Sequence, residues 1–382
     1  MKRIAVCLTI LILIVGGVVA QTPIETSIFT LYRSNFARTG LYDSPPILTQ
    51  PDILWSFDLP RPNRSSIAIA NGLAYTGTEA GILFALDVNT GAEVWRFEAG
   101  GSIVSTAQVD HDTLYVASLN SRVYRLNALT GELIWEFATG GEVYASPLLY
   151  GDRIFIGSRD GMLYAIDVTS GTEQWRADMG GEIWSSAALF LPTSTLIVGA
   201  RSGRVSAFTY DGVVNWTTEL GGAVDAAPAI DGPSVYVGNY DGTLHTLNAV
   251  SGEIIWQVDL PSAIYASTAV GSQYIYVNDY DGNLVALDKA TGEESWRYDI
   301  GSPAYSSPSV SRDPITGYEM VYALSEEGGL MYGIDALTGE ELWRVQTGEQ
   351  GDWRSSSPVI VDGVLFIGSN TEGVIAYYSG TD

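Results

Sequence analysis

Short apolar runs alternate with turn residues along most of this chain. Residues 136–175 show the pattern, because the runs VYASPLL, RIFIGS, MLYAID and TEQWRAD are separated by turns rich in glycine and aspartate. Runs of this length, rich in β-branched and aromatic residues, are typical of antiparallel strands joined by tight turns. No stretch after the first 20 residues shows a sustained helical period. The pattern therefore predicts an all-β protein.

The four-strand unit repeats, and a tryptophan in its last strand recurs about every 40 residues. These tryptophans are Trp55, Trp95, Trp135, Trp175, Trp216, Trp256, Trp296 and Trp343. Eight such units predict an eight-bladed β-propeller of four-stranded antiparallel blades. The last unit stops after its third strand near Tyr378, whereas residues 52–59 form a tryptophan strand with no unit before it. We therefore predict that the N- and C-terminal strands share one blade and close the ring.

The end of each unit carries a family motif. Residues 85–95 read ALDVNTGAEVW, and RLNALTGELIW, ALDKATGEESW and GIDALTGEELW follow the same pattern. These copies closely resemble the tryptophan-docking motif of PQQ-like propeller repeats, found in quinoprotein alcohol dehydrogenases and in BamB-like components of the outer-membrane β-barrel assembly machinery. The resemblance covers about residues 50–382, and FTLYRSNFARTG at 29–40 resembles the segment that precedes such propellers. It implies that the eight tryptophans each pack on the Thr-Gly turn of an adjacent blade. The fourth unit, AFTYDGVVNW, has a shorter turn, for which we expect a tighter hairpin and a weaker dock.

The first 20 residues have the layout of a secretory signal peptide. Lys2 and Arg3 precede an apolar run, and small residues lead to a predicted cleavage after Ala20. An uncleaved anchor is the alternative, but the run is short for a membrane span of about 20 residues. Cys7 lies inside the run and not at the cleavage point, which argues against a lipoprotein. We expect a signal peptide over 1–20, a lead-in segment over 21–50, a propeller over 51–382, and an extracellular, periplasmic or cell-envelope location without a membrane span after cleavage.

Charge and composition narrow the chemistry. The net charge of −25 disfavours nucleic acid as a partner. The quinoprotein enzymes that the motif resembles use PQQ, calcium, a catalytic aspartate and a vicinal cysteine pair, whereas Cys7 is the only cysteine here. His111 is expected in a solvated turn and His245 in a packed strand. The loop NDYDGN at 278–283 has a calcium-like composition, but a tight turn explains it better. We assign no catalytic residue, metal site or cofactor, and keep PQQ with calcium as the alternative.

A ligand without eightfold symmetry must use positions that do not repeat. The position nine residues after each docking tryptophan should lie at the rim of the central channel. The candidate ligand-binding residues at or beside this rim are Arg64, Tyr144, Trp184, Asp225, Tyr265, Tyr305, Trp353 and Arg354. Trp184 and Trp353 are the two tryptophans that no docking motif uses. The alternative is that these aromatic residues only plug the channel.

Acidic residues cluster in the turns predicted at the same end of the propeller. We expect a ring formed by Glu79, Glu142, Asp160, Glu182, Asp241, Asp281, Glu327, Glu349, Asp352 and Glu372. An acidic and aromatic face suits a protein, peptide or glycan ligand. The sequence thus favours an exported, monomeric binding or scaffold propeller. A reduced PQQ-dependent dehydrogenase acting on alcohols or sugars, or a polysaccharide-binding or -cleaving propeller, is the alternative.

Overall fold

The computed structural model describes residues 23–27, 29–326, 328–348 and 356–379. Its strands form eight antiparallel blades, each of four strands, and one 3-10 turn lies at Leu191–Thr193. Three strands precede the first blade: β1 (Phe29–Thr30), β2 (Leu41–Asp43) and β3 (Pro51–Phe57). The eight-bladed propeller predicted from the repeat is therefore confirmed.

The first blade contains β4 (Ala68–Ala70), β5 (Leu73–Gly77), β6 (Ile82–Asp87) and β7 (Glu93–Glu98), and the second contains β8 (Gln108–Asp110), β9 (Thr113–Ser118), β10 (Arg122–Asn127) and β11 (Leu133–Ala138). The third blade contains β12 (Leu148–Tyr150), β13 (Arg153–Gly157), β14 (Met162–Asp167) and β15 (Glu173–Asp178), and the fourth contains β16 (Ala188–Phe190), β17 (Thr195–Gly199), β18 (Arg204–Phe208) and β19 (Val214–Glu219).

The fifth blade contains β20 (Ala229–Asp231), β21 (Ser234–Gly238), β22 (Thr243–Asn248) and β23 (Ile254–Asp259), and the sixth contains β24 (Ala269–Val270), β25 (Tyr274–Asn278), β26 (Asn283–Asp288) and β27 (Glu294–Asp299). The seventh blade contains β28 (Ser309–Arg312), β29 (Glu319–Leu324), β30 (Leu330–Asp335) and β31 (Glu341–Gln346). The eighth contains β32 (Val359–Val361), β33 (Val364–Ser369) and β34 (Gly373–Ser379), and β3 is its fourth strand.

The hydrophobic core lies between blades and explains the apolar third strands. In β6, both faces are buried, so Leu83 and Phe84 pack in opposite directions. Leu83 contacts the second blade, where Val116 and Tyr124 belong to the same cluster, whereas Phe84 packs toward the eighth blade beside Phe366. Full burial of such side chains stabilises the fold by about 1.5–3 kcal/mol each, so the blade-to-blade contacts dominate the stability of the ring.

Each docking tryptophan joins its blade to the next one. The Trp95 indole donates a 3.0 Å hydrogen bond to the Ala128 carbonyl, and its ring lies against Gly131 in the same turn. Corresponding contacts are made by Trp55, Trp135, Trp175, Trp216, Trp256 and Trp296. The fourth-blade turn is tight, since the Thr209 carbonyl accepts a bond from the Gly212 N–H three residues on. Its bond with Trp175 is 3.0 Å, within the 2.9–3.3 Å range of the corresponding docks.

Trp343 differs from the expectation drawn from the motif. The eighth blade has no turn between its third and fourth strands, because those strands come from opposite ends of the chain. The Trp343 indole instead donates to the carbonyl of Ile47, a fully buried residue of the lead-in segment. The stretch just before β3 thus replaces the missing turn.

Ring closure follows the prediction. β3 pairs antiparallel with β34, with Trp55 opposite Ala376 and Phe57 opposite Val374. The indole of Trp55 then donates to the Val88 carbonyl of the first blade at 2.9 Å. The two ends of the described chain are therefore joined in one sheet, and no outer edge of the eighth blade is left without its fourth strand.

The lead-in segment crosses the channel at the end where the innermost strands finish. Carbonyls of residues 36, 37, 39 and 40 accept backbone hydrogen bonds from β16, β20, β24 and β28, where the donors are the N–H groups of Leu189, Ile230, Val270 and Val310. β2 also runs parallel to β28. We call residues 31–44 the channel segment. It contains two buried arginines, Arg33 and Arg38, both with a left-handed backbone.

Candidate functional site

A cavity of about 350 Å³ lies at the opposite end of the channel. We call it the mouth. Its wall contains six of the eight rim residues predicted from the sequence, namely Arg64, Tyr144, Trp184, Asp225, Tyr265 and Tyr305, together with Val104. Trp353 and Arg354 lie outside the described residues, as do Glu327, Glu349 and Asp352 of the expected acidic ring. Tyr32 of the channel segment also lines the cavity and forms part of its floor.

Trp184 is held between a ring of the third blade and a guanidinium of its own, fourth blade. The Tyr144 ring of the third blade stacks on it with centroids 4.3 Å apart and planes 2° from parallel. The Arg201 guanidinium lies 4.2 Å from the Trp184 ring centroid and reaches on to Asp225 of the fifth blade at 3.2 Å. The Trp184 indole donates to Glu182 at 2.8 Å. Trp184 is thus packed between Tyr144 of the third blade and Arg201 of its own, fourth blade, with its polar atom satisfied.

Arginines pair with three carboxylates of the expected acidic ring. Arg159 pairs with both Glu142 and Glu182, and Arg64 lies 2.5 Å from Glu79. The Arg159 hydrogen bond is the main reason that the pKa of Glu182 is lowered. The charged residues that line the mouth are Arg64, Arg201 and Asp225, and arginines partly neutralise the expected acidic ring by pairing with Glu79, Glu142 and Glu182. Asp241 and Asp281, which lie in outer turns, remain exposed.

Asp225 is the most buried carboxylate of the mouth. Its side chain is 3% exposed and is paired with Arg201. Tyr240 donates its hydroxyl to Asp225 and accepts a 2.7 Å hydrogen bond from Arg201. Burial raises the pKa of Tyr240, so its phenol stays protonated and remains a donor at neutral pH. The three side chains form a closed polar network on one wall of the cavity.

Tyr240, Tyr265 and Tyr305 form the neighbouring wall, and Tyr280 packs against two of them. The Tyr265 ring centroid lies 4.5 Å from Tyr240, 5.4 Å from Tyr280 and 5.1 Å from Tyr305. Burial raises the pKa of Tyr265 and of Tyr305. Sequence reasoning found Tyr265 and Tyr305 but missed Tyr240 and Tyr280, and it also missed Arg159 and Arg201. All four missed residues lie in the turns after the second strand of a blade, where only acidic residues had been considered.

A ring of hydroxyl groups lies just below the rim, and we call it the serine belt. The serine hydroxyl of one blade accepts a backbone N–H from the preceding blade, at 2.8–3.2 Å. The acceptors are Ser66, Ser146, Ser186, Ser267, Ser307 and Ser357. Ala227 interrupts the belt because it has no hydroxyl to offer Ser186. All these residues line the mouth, so the belt both links blades and provides a polar lining.

The residues considered for metal binding are engaged in other contacts. Asp279, in the loop 278–283, accepts hydrogen bonds from Asn283 and lies 4.0 Å from Arg297. His111 is exposed in a turn and His245 is buried in β22, as expected. Within residues 23–27, 29–326, 328–348 and 356–379, no group of three or more His, Cys, Asp or Glu side chains is arranged to hold a metal ion.

The described part of the chain contains no helix that is long and apolar enough to cross a membrane.

Comparison with known proteins identifies the family. A family model described as outer membrane protein assembly factor BamB matches residues 49–111, 80–220, 159–264 and 241–381. The chain belongs to this BamB-like family of PQQ-like propellers. The crystal structure of BamB from Moraxella catarrhalis is 18% identical, with a TM-score of 0.71, and the match covers 87% of this chain and all of that one.

Enzymes with the same fold are also similar to this BamB-like propeller. A europium-containing methanol dehydrogenase superposes with a TM-score of 0.78 at 13% identity, over 91% of both chains. Lupanine 17-hydroxylase [cytochrome c] from Pseudomonas sp is 45% identical over 62 residues, which are 15% of this chain and 9% of that protein's length. The structural similarities show a shared fold, which hosts both assembly factors and dehydrogenases.

Proposed function

We propose that this BamB-like propeller is an exported, non-catalytic scaffold that binds a segment of another protein at its mouth. The observation that carries the proposal is the cavity of about 350 Å³ lined by Tyr144, Trp184, Tyr265 and Tyr305 together with Arg64 and the Arg201–Asp225 ion pair. A concave site with aromatic walls and a few fixed polar groups is typical of ligand recognition. The family description as an outer membrane protein assembly factor supports a cell-envelope role.

A protein segment fits this site better than a glycan does. Sugar recognition commonly uses an open aromatic face, but Trp184 is packed between Tyr144 and Arg201. The tyrosine wall offers ring edges, because its rings meet at 45–70°. Ring edges, hydroxyls and charges of both signs suit the mixed apolar and polar side chains of a peptide loop.

PQQ-dependent oxidation is the second candidate, favoured by the short match to lupanine 17-hydroxylase. The residues of this chain do not fit the cofactor. A planar quinone needs a free aromatic face, whereas the Trp184 ring is covered by the Tyr144 ring and the Arg201 guanidinium. The vicinal cysteine pair implied by the quinoprotein resemblance is also missing, since Cys7 is the only cysteine. Added PQQ and calcium should therefore leave the absorption spectrum of PQQ unchanged and support no dye-linked alcohol or sugar oxidation.

A peptide-display library panned on the purified protein would test the scaffold role. Selected peptides are then titrated against the wild type and against a Tyr265→Ala, Tyr305→Ala variant. We expect at least a tenfold loss of affinity in the variant, because truncating aromatic anchors in a desolvated pocket costs about 1–4 kcal/mol.

Leu191→Ala is the matched control. Leu191 is an exposed apolar residue in the turn at the opposite end of the fourth blade, and it should leave affinity unchanged. Equal affinity of all three proteins would contradict binding at the mouth, and a glycan array that gave strong binding without peptide selection would favour the polysaccharide alternative.

A further inference from the structure

Two arginines of the channel segment are buried without a negative partner. Arg33 donates to the carbonyls of Thr268 and Pro308, at 2.8 and 3.2 Å, on the sixth and seventh blades. Arg38 donates to the carbonyls of Ala187 and Pro147, at 3.0 and 3.1 Å, on the fourth and third. Among the described residues, the charges that act on either guanidinium come from tyrosines and from the other arginine, not from a carboxylate.

The carbonyl acceptors satisfy hydrogen bonds but do not cancel the charge. Burial lowers the pKa of Arg38 to about 9 and also lowers that of Arg33, because removal from water penalises the charged form. Buried charges in proteins are usually paired, since an isolated one is expensive. The interior of this acidic protein therefore contains a local excess of positive charge.

One guanidinium nitrogen of Arg33 makes no hydrogen bond within the described chain. Arg33 is 3% exposed, and its Nη1 atom has no hydrogen-bond partner within the described chain. The residue lines a second cavity of about 140 Å³ between the channel segment and the first, second and eighth blades. Tyr32, Ser66 and Thr106 line both this cavity and the mouth, so the two cavities are neighbours.

We propose that the second cavity binds a small anion, a carboxylate or an inorganic oxoanion, that pairs with the Arg33 guanidinium. This site is distinct from the mouth and independent of the proposed scaffold role.

The polar lining fits such an anion. Ser66 accepts a backbone N–H from Ser357 and has no acceptor for its own hydroxyl proton among the described residues, so it can donate into the cavity. Thr30 of β1 and Ser34 of the channel segment add hydroxyl groups. Hydroxyl donors and one guanidinium match the several acceptor oxygens of a carboxylate or oxoanion. Water could satisfy the same hydrogen bonds, but only an anion would also neutralise Arg33.

Calorimetric titration tests the site directly. The purified chain is titrated with sodium acetate and, separately, sodium sulfate, in a chloride-free HEPES buffer at constant ionic strength. We expect a saturable, single-site curve with at least one of the two salts, and the tighter one identifies the anion class. The absence of saturable binding with both salts would overturn the proposal.

Two variants locate the binding. Arg33→Gln removes the charge and should weaken binding at least tenfold. Val361→Phe fills the cavity from its wall and leaves Arg33 in place, so it should also weaken binding at least tenfold, and it decides the matter if Arg33→Gln does not fold. Trp184→Ala changes the mouth and should keep the wild-type affinity. Unchanged affinity in Val361→Phe, or a loss confined to Trp184→Ala, would refute the site in the second cavity.

Discussion

A glycine and a tryptophan meet at nearly every junction between blades. Gly131 has a φ of +73°, and a Cβ atom placed there would lie 2.6 Å from Cε3 of Trp95. Glycine is therefore needed twice, once for the left-handed backbone and once for the close approach of the indole. The motif that resembles a cofactor signature in sequence acts as a contact surface between blades.

Replacing this glycine should separate the two effects. Gly100 has a similar φ of +79° but nothing within 4 Å of an added Cβ. Gly100→Ala should cost about 1–2 kcal/mol of unfolding free energy through backbone strain alone. Gly131→Ala should cost clearly more, because Trp95 must also move. Urea unfolding of the two variants measures the difference, and equal costs would show that the indole contact contributes nothing.

His245 occupies a position where most other blades carry an apolar or aromatic residue. It is 4% exposed on the third strand of its blade, where Phe84, Tyr124 and Tyr164 stand in the first three. Burial lowers the pKa of the His245 imidazole. The unfolded chain therefore binds a proton more readily than the folded one, so this residue makes stability fall as the pH drops below about 6.5.

His245→Phe should reduce this acid sensitivity. We expect the loss of unfolding free energy between about pH 7.5 and pH 5.5 to be smaller in the variant than in the wild type, since phenylalanine takes up no proton in either state. Urea denaturation at both pH values measures the two losses. Identical losses would mean that His245 is protonated equally in both states.

The serine belt acts at the scale of the innermost strands. Each of its hydrogen bonds ties the entry of one inner strand to the next blade, as between the Ala227 N–H and Ser267 at 2.9 Å. The blades are therefore joined near the axis by polar contacts and near the outside by tryptophans. At position 227 an alanine stands where the Ser186 N–H would otherwise meet a serine hydroxyl.

Adding a serine hydroxyl to the belt at position 227 should stabilise the protein. Ala227→Ser supplies a hydroxyl for the Ser186 N–H and should add about 0.5–1.5 kcal/mol to the unfolding free energy. Ser267→Ala is the opposite change, because it leaves the buried Ala227 N–H without its acceptor, and it should cost about 1–3 kcal/mol. Thermal unfolding shows whether each variant is more or less stable than the wild type. Destabilisation by Ala227→Ser would indicate that a serine hydroxyl cannot join the belt at this position.

Most blades of the ring contact a blade that follows them directly in sequence, whereas the junction made by β3 joins distant parts of the chain. Trp55 and Trp216 make equivalent docks, with exposures of 7% and 8% and indole hydrogen bonds of 2.9 and 3.1 Å. Trp216 joins two blades consecutive in sequence, whereas Trp55 lies on β3, which pairs with the far end of the chain. Contacts between distant parts of a chain form late when loop closure is costly.

Folding kinetics should distinguish the two docks. Trp55→Phe should accelerate unfolding with little change in the folding rate, because ring closure follows the rate-limiting step. Trp216→Phe, which removes the same chemical group, should slow folding. Chevron plots of both variants measure the rates, and a slower folding rate for Trp55→Phe would place ring closure inside the transition state.

The repeat allowed the sequence to predict the blade count, the ring closure and the position of the rim residues, because strand period and turn spacing are local properties. It could not predict how Arg159 and Arg201 reach carboxylates and rings on neighbouring blades, since long side chains choose partners only after the blades are assembled. The dock of Trp343 on Ile47 was missed for the same reason. Its acceptor is almost 300 residues away, and no motif marks it.

The channel segment has a consequence for how any partner must approach. Residues 31–44 are hydrogen-bonded to the inner strands of blades on several sides, so the channel is closed at that end and open only at the mouth. A polypeptide cannot be threaded through it. Whatever enters the mouth must be a tip, such as a chain end, a hairpin or a single loop, and it must leave the way it came.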